Sequence, residues 1–439
     1  MKKMILPDNI KNILSTITAH GYEAYVVGGA VRDFLLGREV SDYDITTNAL
    51  PEQIKGMFQK TIDTGLKHGT VTVVENGAVV EITTYRIDGV YEDHRRPKTV
   101  QFSKDLKSDL SRRDFTINAL ACDEYGNITD YFDGIGDIER RLIRTVGEAD
   151  KRFEEDALRM LRAIRFACTT GFAIDDEILR SIERKSGLIL YVSGERIKQE
   201  MDKALMGDDV FMLKKSMPLL REIFPQFARC FTTEQNNIHH VYNVGDHILK
   251  SVASVSKELP LRWAMFMHDL GKPFTRTADV DGDHFKGHEE MSLNIAERIF
   301  EKLKFSNAEK SVIKTMIKYH DYRFDADKVI IKKLLARIGK DNFKSLMLVK
   351  RADAMAQSEC TLAPKLDNIE KIENTYNNVI ANDEPYLIKH LAVNGNDLMD
   401  YGITGNSIGI TLEKLQNKVI ENPKLNTRES LLNLIDRRR

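Results

Sequence analysis

Two aspartates, Asp42 and Asp44, stand one residue apart in SDYDITTNA, just downstream of Gly28, Gly29 and Arg32 in YVVGGAVRD. At positions i and i+2 of a strand two carboxylates project to one face. There they repel unless a cation lies between them, and hard oxygen ligands suit Mg²⁺. Glu81 interrupts the apolar run AVVEITTYR and is the candidate third carboxylate, on a neighbouring strand. It would complete a two-metal site with ions ~3.5–4 Å apart. A lone D-x-D is also common on exposed strands, so the pair needs support from its surroundings. Gly28 and Gly29 end an apolar strand and open the helix VRDFLL. Glycine lets the backbone approach a phosphate closely, and a helix N-terminus offers free N–H donors. Arg32, one turn in, could add a bidentate phosphate contact. A phosphate cradle ahead of a metal-binding D-x-D is the combination that nucleotidyl transfer needs.

The elements that must position these groups fall into two styles. Up to about residue 130, runs rich in Val, Thr and Ile (YEAYVVGG, GTVTVVEN, AVVEITTYR, TVQFS) read as strands, and VRDFLLG and PEQIKGMF as helices. From EEDALRMLRAIRFA onward, Leu, Ile, Ala and Met recur at helical spacing. The expectation is an α+β chain, a small α/β head followed by a long helical body. At 439 residues it is too long for one ordinary core. Apolar residues make up 42% and charged residues 30%, a globular profile with no apolar run near the ~20 residues of a bilayer span. Pro7 and Asp8 interrupt any signal-peptide core, and Cys122, Cys168, Cys230 and Cys360 form no CxxC. A cytoplasmic protein without a membrane partner, disulfide framework or zinc–thiolate site is expected. With 65 basic and 66 acidic residues the net charge is −1, which argues against indiscriminate nucleic-acid coating but permits a local basic surface.

GGAVRD followed by DYDITTNA resembles the head of the bacterial-type tRNA nucleotidyltransferases (CCA-adding enzymes) and the related bacterial poly(A) polymerases. The likeness continues in order through HGTVTVV, VEITTYR, SRRDFTINALA, DGIGD and EEDALRMLRAIRF. It implies a polymerase-β-like nucleotidyltransferase head over 1–145, a helical neck over 146–230 carrying nucleobase recognition, an HD-type helical domain over 231–360, and a helical tail over 361–439 that contacts tRNA. It also implies CTP and ATP as substrates, tRNA as partner and Mg²⁺ as cofactor. By the same resemblance Arg113 lies near the triphosphate, and Asp114 and Asn118 contact the ribose or orient the site. Asp114 could instead cap a helix over TINALA, and Asn118 could satisfy a backbone group. Asp133, Gly134 and Asp137 match a hinge-like motif.

The resemblance places Asp156 and Arg159 at the nucleobase, with Arg162 and Arg165 on the nucleotide and phosphate side. The chemistry fits. On one helix Asp156 and Arg159 are i and i+3 neighbours. A carboxylate only accepts hydrogen bonds and a guanidinium only donates them. Cytosine and adenine both present an amino donor beside a ring-nitrogen acceptor, whereas uracil and guanine invert that pattern. Each unmet group would cost ~1–3 kcal/mol, so one pair can accept C and A and reject U and G. An ordinary ion pair on a solvated helix is the alternative.

The polar stretch RIDGVYEDHRRPKTVQF matches a loop that enzymes adding only CC lack, which favours full CCA addition, although enzymes adding only the terminal A also carry it. TGLKHGTVTVV, with His68 and Gly69, departs from the G-[RK]-R-F-R stretch of poly(A) polymerases. Further on, His268-Asp269 in MFMHDLGKP resembles the signature of HD-domain phosphohydrolases. That implies His247, His268, Asp269 and Asp353 as metal ligands, with His288 and His320 available to a second ion and Mn, Ni or Fe as the metal. A metal-dependent phosphohydrolase acting on RNA ends is therefore the rival reading. Gly402, Gly405 and Gly409 could meet an RNA backbone or simply join two helices. The terminal Arg437, Arg438 and Arg439 read as a solvated end that could touch RNA.

Overall fold

A computed structural model describes residues 3–66, 69–88, 100–236, 241–280 and 282–435. His68, most of the polar stretch after Glu81 and the terminal arginines fall outside these residues. The chain divides into two compact units, Met1–Pro225 and Gln226–Arg439.

The first unit begins with α1 (Asp8–Ala19), β1 (Ala24–Val27), α2 (Gly29–Leu35), β2 (Asp44–Thr47) and α3 (Pro51–Met57). Three strands follow: β3 (Thr61–Gly65), β4 (Thr70–Glu75) and β5 (Ala78–Thr84). A short hairpin, β6 (Arg86–Asp88) and β7 (Val100–Phe102), leads to α4 (Leu106–Ser111), β8 (Leu120–Cys122), β9 (Ile128–Asp130) and α5 (Gly134–Arg140). Seven strands form one mixed sheet in the order β3-β4-β5-β2-β1-β8-β9. Only β2 and β5 run parallel in it. Alternation explains the faces of β5: Ala78, Val80, Ile82 and Thr84 are buried, while Val79 and Glu81 point outward. TINALA is not a helix. Thr116–Asn118 make one 3₁₀ turn, and Leu120 already belongs to β8, because the buried run LAC completes the sheet beside β1.

Beyond the sheet, β10 (Leu142–Ile143) pairs with β11 (Ala173–Ile174) around α6 (Ala149–Glu155) and α7 (Leu158–Thr170). Then come α8 (Asp176–Lys185), α9 (Gly194–Leu205) and α10 (Met217–Ile223). Helix α7 is buried on nearly every side and packs along α9.

Among the described residues the second unit is helical apart from one hairpin. After α11 (Pro225–Cys230) it runs α12 (Val244–Ser254), α13 (Leu259–Met267), α14 (Lys272–Thr275), the hairpin β12 (Thr277–Asp279) and β13 (Gly282–His284), and α15 (His288–Leu303). It continues through α16 (Asn307–Tyr319), α17 (Lys328–Ile338), α18 (Lys340–Met355) and α19 (Glu359–Ala381). Trp263, Phe266, Phe300 and Phe305 pack edge-on or tilted in its core. The end, α20 (Gly395–Asp400), α21 (Asn406–Glu421) and α22 (Arg428–Asn433), has its own small core of Val393, Leu398, Leu415, Val419 and Leu431. Gly402 and Gly405 are left-handed in the α20–α21 connection (φ 86° and 63°), and Gly409 lies within α21. A side chain at any of the three would meet open space, and only Gly402 and Gly405 belong to the link between the two helices. No described helix is long and apolar enough to cross a membrane.

Candidate active site and a second ligand cluster

The parallel pairing of β2 with β5 sets Asp44 directly opposite Glu81. Asp42 differs from the expectation: it precedes β2 in irregular chain, so strand alternation does not place it. Residues 38–43 make no ladder because Asp44 is the first β2 residue to pair with β1, across from Val27. All three carboxylate residues are exposed. Asp44 is nevertheless pushed above its ordinary pKa, first by partial burial of its carboxyl and then by the Asp42 charge, with Glu81 adding and Arg113 opposing. Three hard oxygen donors, two of whose charges push up the pKa of the third, fit a divalent cation such as Mg²⁺. They are less drawn together than the cluster described below: among the described residues, the two groups with three ligand atoms within 4.8 Å of one another both lie in the second unit.

The phosphate side is built around Gly28, whose φ of 71° and ψ of −126° suit glycine. A Cβ there would stand 2.9 Å from the Arg113 guanidinium. At Gly29 the nearest atom, on Arg32, would be 3.6 Å away. Helix α2 is only two turns long, so the arginines contribute more positive charge than its dipole. Arg113 is half-buried, its covered Nε has no hydrogen-bond partner among the described residues, and desolvation depresses its pKa. Arg32 donates to Asn118 Oδ1 (2.7 Å) and to both Asp33 oxygens (3.0 and 2.9 Å). Its guanidinium lies 4.9 Å from the Phe166 ring, which also meets Arg165 at 3.5 Å and Arg162 at 5.6 Å. A cavity of about 320 Å³ opens beside Arg32 and Arg165, with Arg38, Glu39 and Lys203 on its walls. Asp114 is a hub rather than a helix cap. It accepts from Phe115 N (2.8 Å), Asn118 Nδ2 (3.1 Å) and Arg162 Nε (2.7 Å). Burial would raise its pKa, but Arg162 and Arg159 hold it well below the usual carboxylate range.

The base side departs most from expectation. Asp156 and Arg159 do not share a helix. Helix α6 ends at Glu155, and Asp156 is extended (φ −142°, ψ 105°). Its Oδ1 accepts from Leu158 N at 3.1 Å, at the opening of α7. Satisfying that otherwise unpaired donor is the physical reason for the break. Asp156 is held by Arg196 of α9, Nη1 to Oδ1 at 3.2 Å and Nη2 to Oδ2 at 2.7 Å. Arg159 bonds Glu155 Oε2 (2.5 Å) and the carbonyls of Arg112 (2.9 Å) and Arg152 (3.3 Å). One turn along α9, Glu200 accepts from Arg165 (2.9 Å) and Arg162 (3.4 Å).

In the second unit the six expected residues converge. His247 comes from α12, His268 caps α13, His288 opens α15, His320 caps α16 and Asp353 lies on α18. Each histidine directs Nδ1 at a backbone carbonyl: Ala356, Met265, Phe285 and Ile317, at 3.1, 2.7, 2.8 and 2.7 Å. A carbonyl only accepts, so Nδ1 donates and the neutral ring turns a bare Nε2 inward. Those Nε2 atoms meet in pairs, His247–His268 at 3.3 Å and His288–His320 at 3.1 Å. Asp269 stands between the pairs. Its Oδ2 is 3.3 Å from His247 and from His268, and its Oδ1 is 3.3 Å from His288 and 3.6 Å from His320. Both Asp269 oxygens are buried without a well-directed hydrogen bond, although Lys272 Nζ lies 2.7 Å from Oδ2. Burial works to lower the pKa of His268, but Asp269 and Asp353 raise it to about 10, so its Nε2 holds a proton that a bound cation would displace to free the lone pair. Facing lone pairs around a buried carboxylate fit a divalent cation or a pair of them. Asp353 Oδ1 stands 3.1 Å from His247, while its Oδ2 accepts from Gln357 (2.6 Å), which in turn accepts from Lys365.

Family comparison agrees with this division of parts. Residues 24–144 match the poly(A) polymerase head domain, 171–231 the probable RNA and SrmB-binding site of polymerase A, and 237–357 the HD domain. The fold and site define a nucleotidyltransferase-type head with an HD-type helical domain. The Bacillus stearothermophilus CCA-adding enzyme, solved in complex with CTP, is 31% identical, with each chain 98% covered and a TM-score of 0.73. The chain belongs to the family of CCA-adding enzymes. The CCA-adding enzyme of Geobacillus thermodenitrificans is 46% identical over 271 residues, 60% of this chain and 64% of that protein. That of Geobacillus stearothermophilus is 53% identical over 210 residues, 48% of this chain and 51% of that protein. The matched stretches thus span about half to two thirds of those relatives' lengths.

Sequence reasoning missed Asp109, Phe166, Arg196 and Glu200 in the first unit and Lys272 and Gln357 in the second. Only Lys272 carried a local signal, three residues after Asp269 in HDLGK.

Proposed function

We propose that the chain is a template-independent tRNA nucleotidyltransferase that builds CCA on tRNA 3′ ends from CTP and ATP. The observation that carries this reading is the β2–β5 pairing, which sets Asp44 against Glu81 beside Gly28 and Arg113. Asp42, Asp44 and Glu81 would hold Mg²⁺, which supplies charge neutralisation of the triphosphate and activation of the terminal ribose hydroxyl. The chain's own groups then divide the work. Gly28 leaves room for a phosphate against Arg113, and Arg32 and Arg165 add positive charge at the same end. Asp156 accepts from the exocyclic amino group, and Arg159 donates to the ring nitrogen after exchanging one of its present acceptors. The hydroxyl releases its proton to solvent as its oxygen bonds to the α-phosphorus, the bond from that phosphorus to the bridging oxygen of the β-phosphate breaks, and pyrophosphate leaves. Residues beyond the head would hold the tRNA by shape and backbone, since A-form RNA permits little groove reading.

Two substrates test this, a tRNA ending at the discriminator base and one ending in CC, each with CTP, ATP or both. CCA addition lengthens the first by three nucleotides. Extension of the CC substrate alone would indicate an A-adding enzyme, and long ladders a poly(A) polymerase. Asp42→Ala is expected to abolish incorporation without unfolding; retained activity would remove the assignment of the site.

A second activity is favoured by one observation, the placement of Asp269 between two imidazole pairs. We propose that the second unit binds a divalent metal such as Mn, Ni or Fe and hydrolyses phosphate esters at RNA ends. Loss of bound metal without loss of fold in Asp269→Asn is the expected result.

A further inference from the structure

Asp156 has little local support for a group that must read hydrogen atoms. It sits in extended chain between α6 and α7, and its own neighbourhood offers a single restraint, the Leu158 N–H on Oδ1. The remaining restraint comes from a different helix. Arg196 spans both carboxylate oxygens at 3.2 and 2.7 Å, and both side chains are mostly covered, 25% and 17% exposed. A planar fork on a carboxylate fixes its plane and direction as well as its charge. A carboxylate offers about four lone-pair directions. With Arg196 and Leu158 occupying three of them, one on Oδ2 stays open to an amino donor.

Helix α9 is suited to this task. Its twelve residues pack along the buried helix α7. Arg196 and Glu200 are i and i+4, hence on one face, and they meet groups of opposite charge: Asp156 for the first, Arg162 and Arg165 for the second. One rigid face thus sets the base end and the phosphate end of the same nucleotide site.

We propose that Arg196 is a specificity-determining positioning residue: it holds Asp156 in the orientation that distinguishes an amino group from a carbonyl on the incoming base. Without the fork the carboxylate turns about its side-chain bonds, and bases with a carbonyl at that position meet less repulsion. The proposal rests on the assignment of Asp156 to base reading, so the experiment separates the two.

Single-nucleotide incorporation by the full chain would be measured for CTP, ATP, UTP and GTP with wild type, Arg196→Gln, Arg196→Lys and Asp156→Ala, alongside melting temperatures. Arg196→Gln is expected to lower the kcat/KM preference for CTP over UTP about tenfold, the effect lying mainly in KM, with melting unchanged. Arg196→Lys keeps the charge but loses the fork, and is expected to recover less than half of that preference on a logarithmic scale. If Asp156→Ala erases the preference while Arg196→Gln keeps it, or if Arg196→Gln slows all four nucleotides equally, Arg196 is only structural and the proposal is overturned. If Asp156→Ala itself keeps the preference, base reading by Asp156 fails and the proposal falls with it.

Discussion

Asp114 shows how much one buried carboxylate can organise. It ties the turn at Asn118 to Arg162 on α7, and its pKa is held below the ordinary 3.8 by the arginines around it. A carboxyl depressed in the folded state contributes stability that is complete above its unfolded pKa and lost as pH falls through the folded one. Asp114→Asn is therefore expected to destabilise the chain by ~2 kcal/mol at pH 7, given the usual value of hydrogen bonds to charged groups. The gap to wild type should shrink in denaturant titrations below about pH 4. Arg159 invites a different measurement. If it donates to the ring nitrogen, Arg159→Ala should weaken rejection of UTP by about tenfold, the worth of one unmet polar group. Unchanged discrimination would take Arg159 out of base reading. Residue identity was legible in the sequence for both groups, because carboxylate and guanidinium have fixed hydrogen-bonding roles. Their partners were not, because Asp114 bonds a residue 48 positions away and Arg159 one 47 positions away.

At the scale of elements, Asp109 of α4 links strands to arginines. It is fully buried and accepts from Thr46 Oγ1 of β2 (3.1 Å), the backbone N–H of Arg86 (3.3 Å) and the Arg112 fork (3.0 and 2.8 Å). Arg113 lies 3.7 Å from the same carboxylate. Asp109→Ala strands several donors at once and is expected to cost ~3 kcal/mol in urea unfolding. Phe166 does comparable work with its ring, where three guanidiniums gather. Phe166→Leu keeps most of the apolar volume but loses the π-face, so KM for CTP and ATP should rise several-fold at near-constant melting temperature. Periodicity announced most strands and helices here. It failed at TINALA and at Asp156, where strand pairing or a local donor outcompeted helical spacing.

For the whole molecule, the two kinds of site lie in separate compact units, Met1–Pro225 and Gln226–Arg439. Metal removal should therefore act on them separately. In the Asp269→Asn chain, bound Mn, Ni or Fe measured by elemental analysis should fall while Mg²⁺-dependent incorporation persists. Parallel loss of both would contradict independent sites. The amino-acid sequence by itself determined the chemical inventory and its order: D-x-D behind a glycine pair, the arginine-rich helix, and six scattered histidines and aspartates. Residue types carry their chemistry, and hydrophobic period marks the elements that bear them, so both can be read along the chain. Only the tertiary structure decided which groups meet. Strand register put Glu81 opposite Asp44, α9 brought Arg196 to Asp156, and four helices, α12, α13, α15 and α16, aimed four imidazoles at Asp269. Those encounters depend on packing between segments far apart in sequence, and no local pattern encodes the distance at which two side chains come to rest.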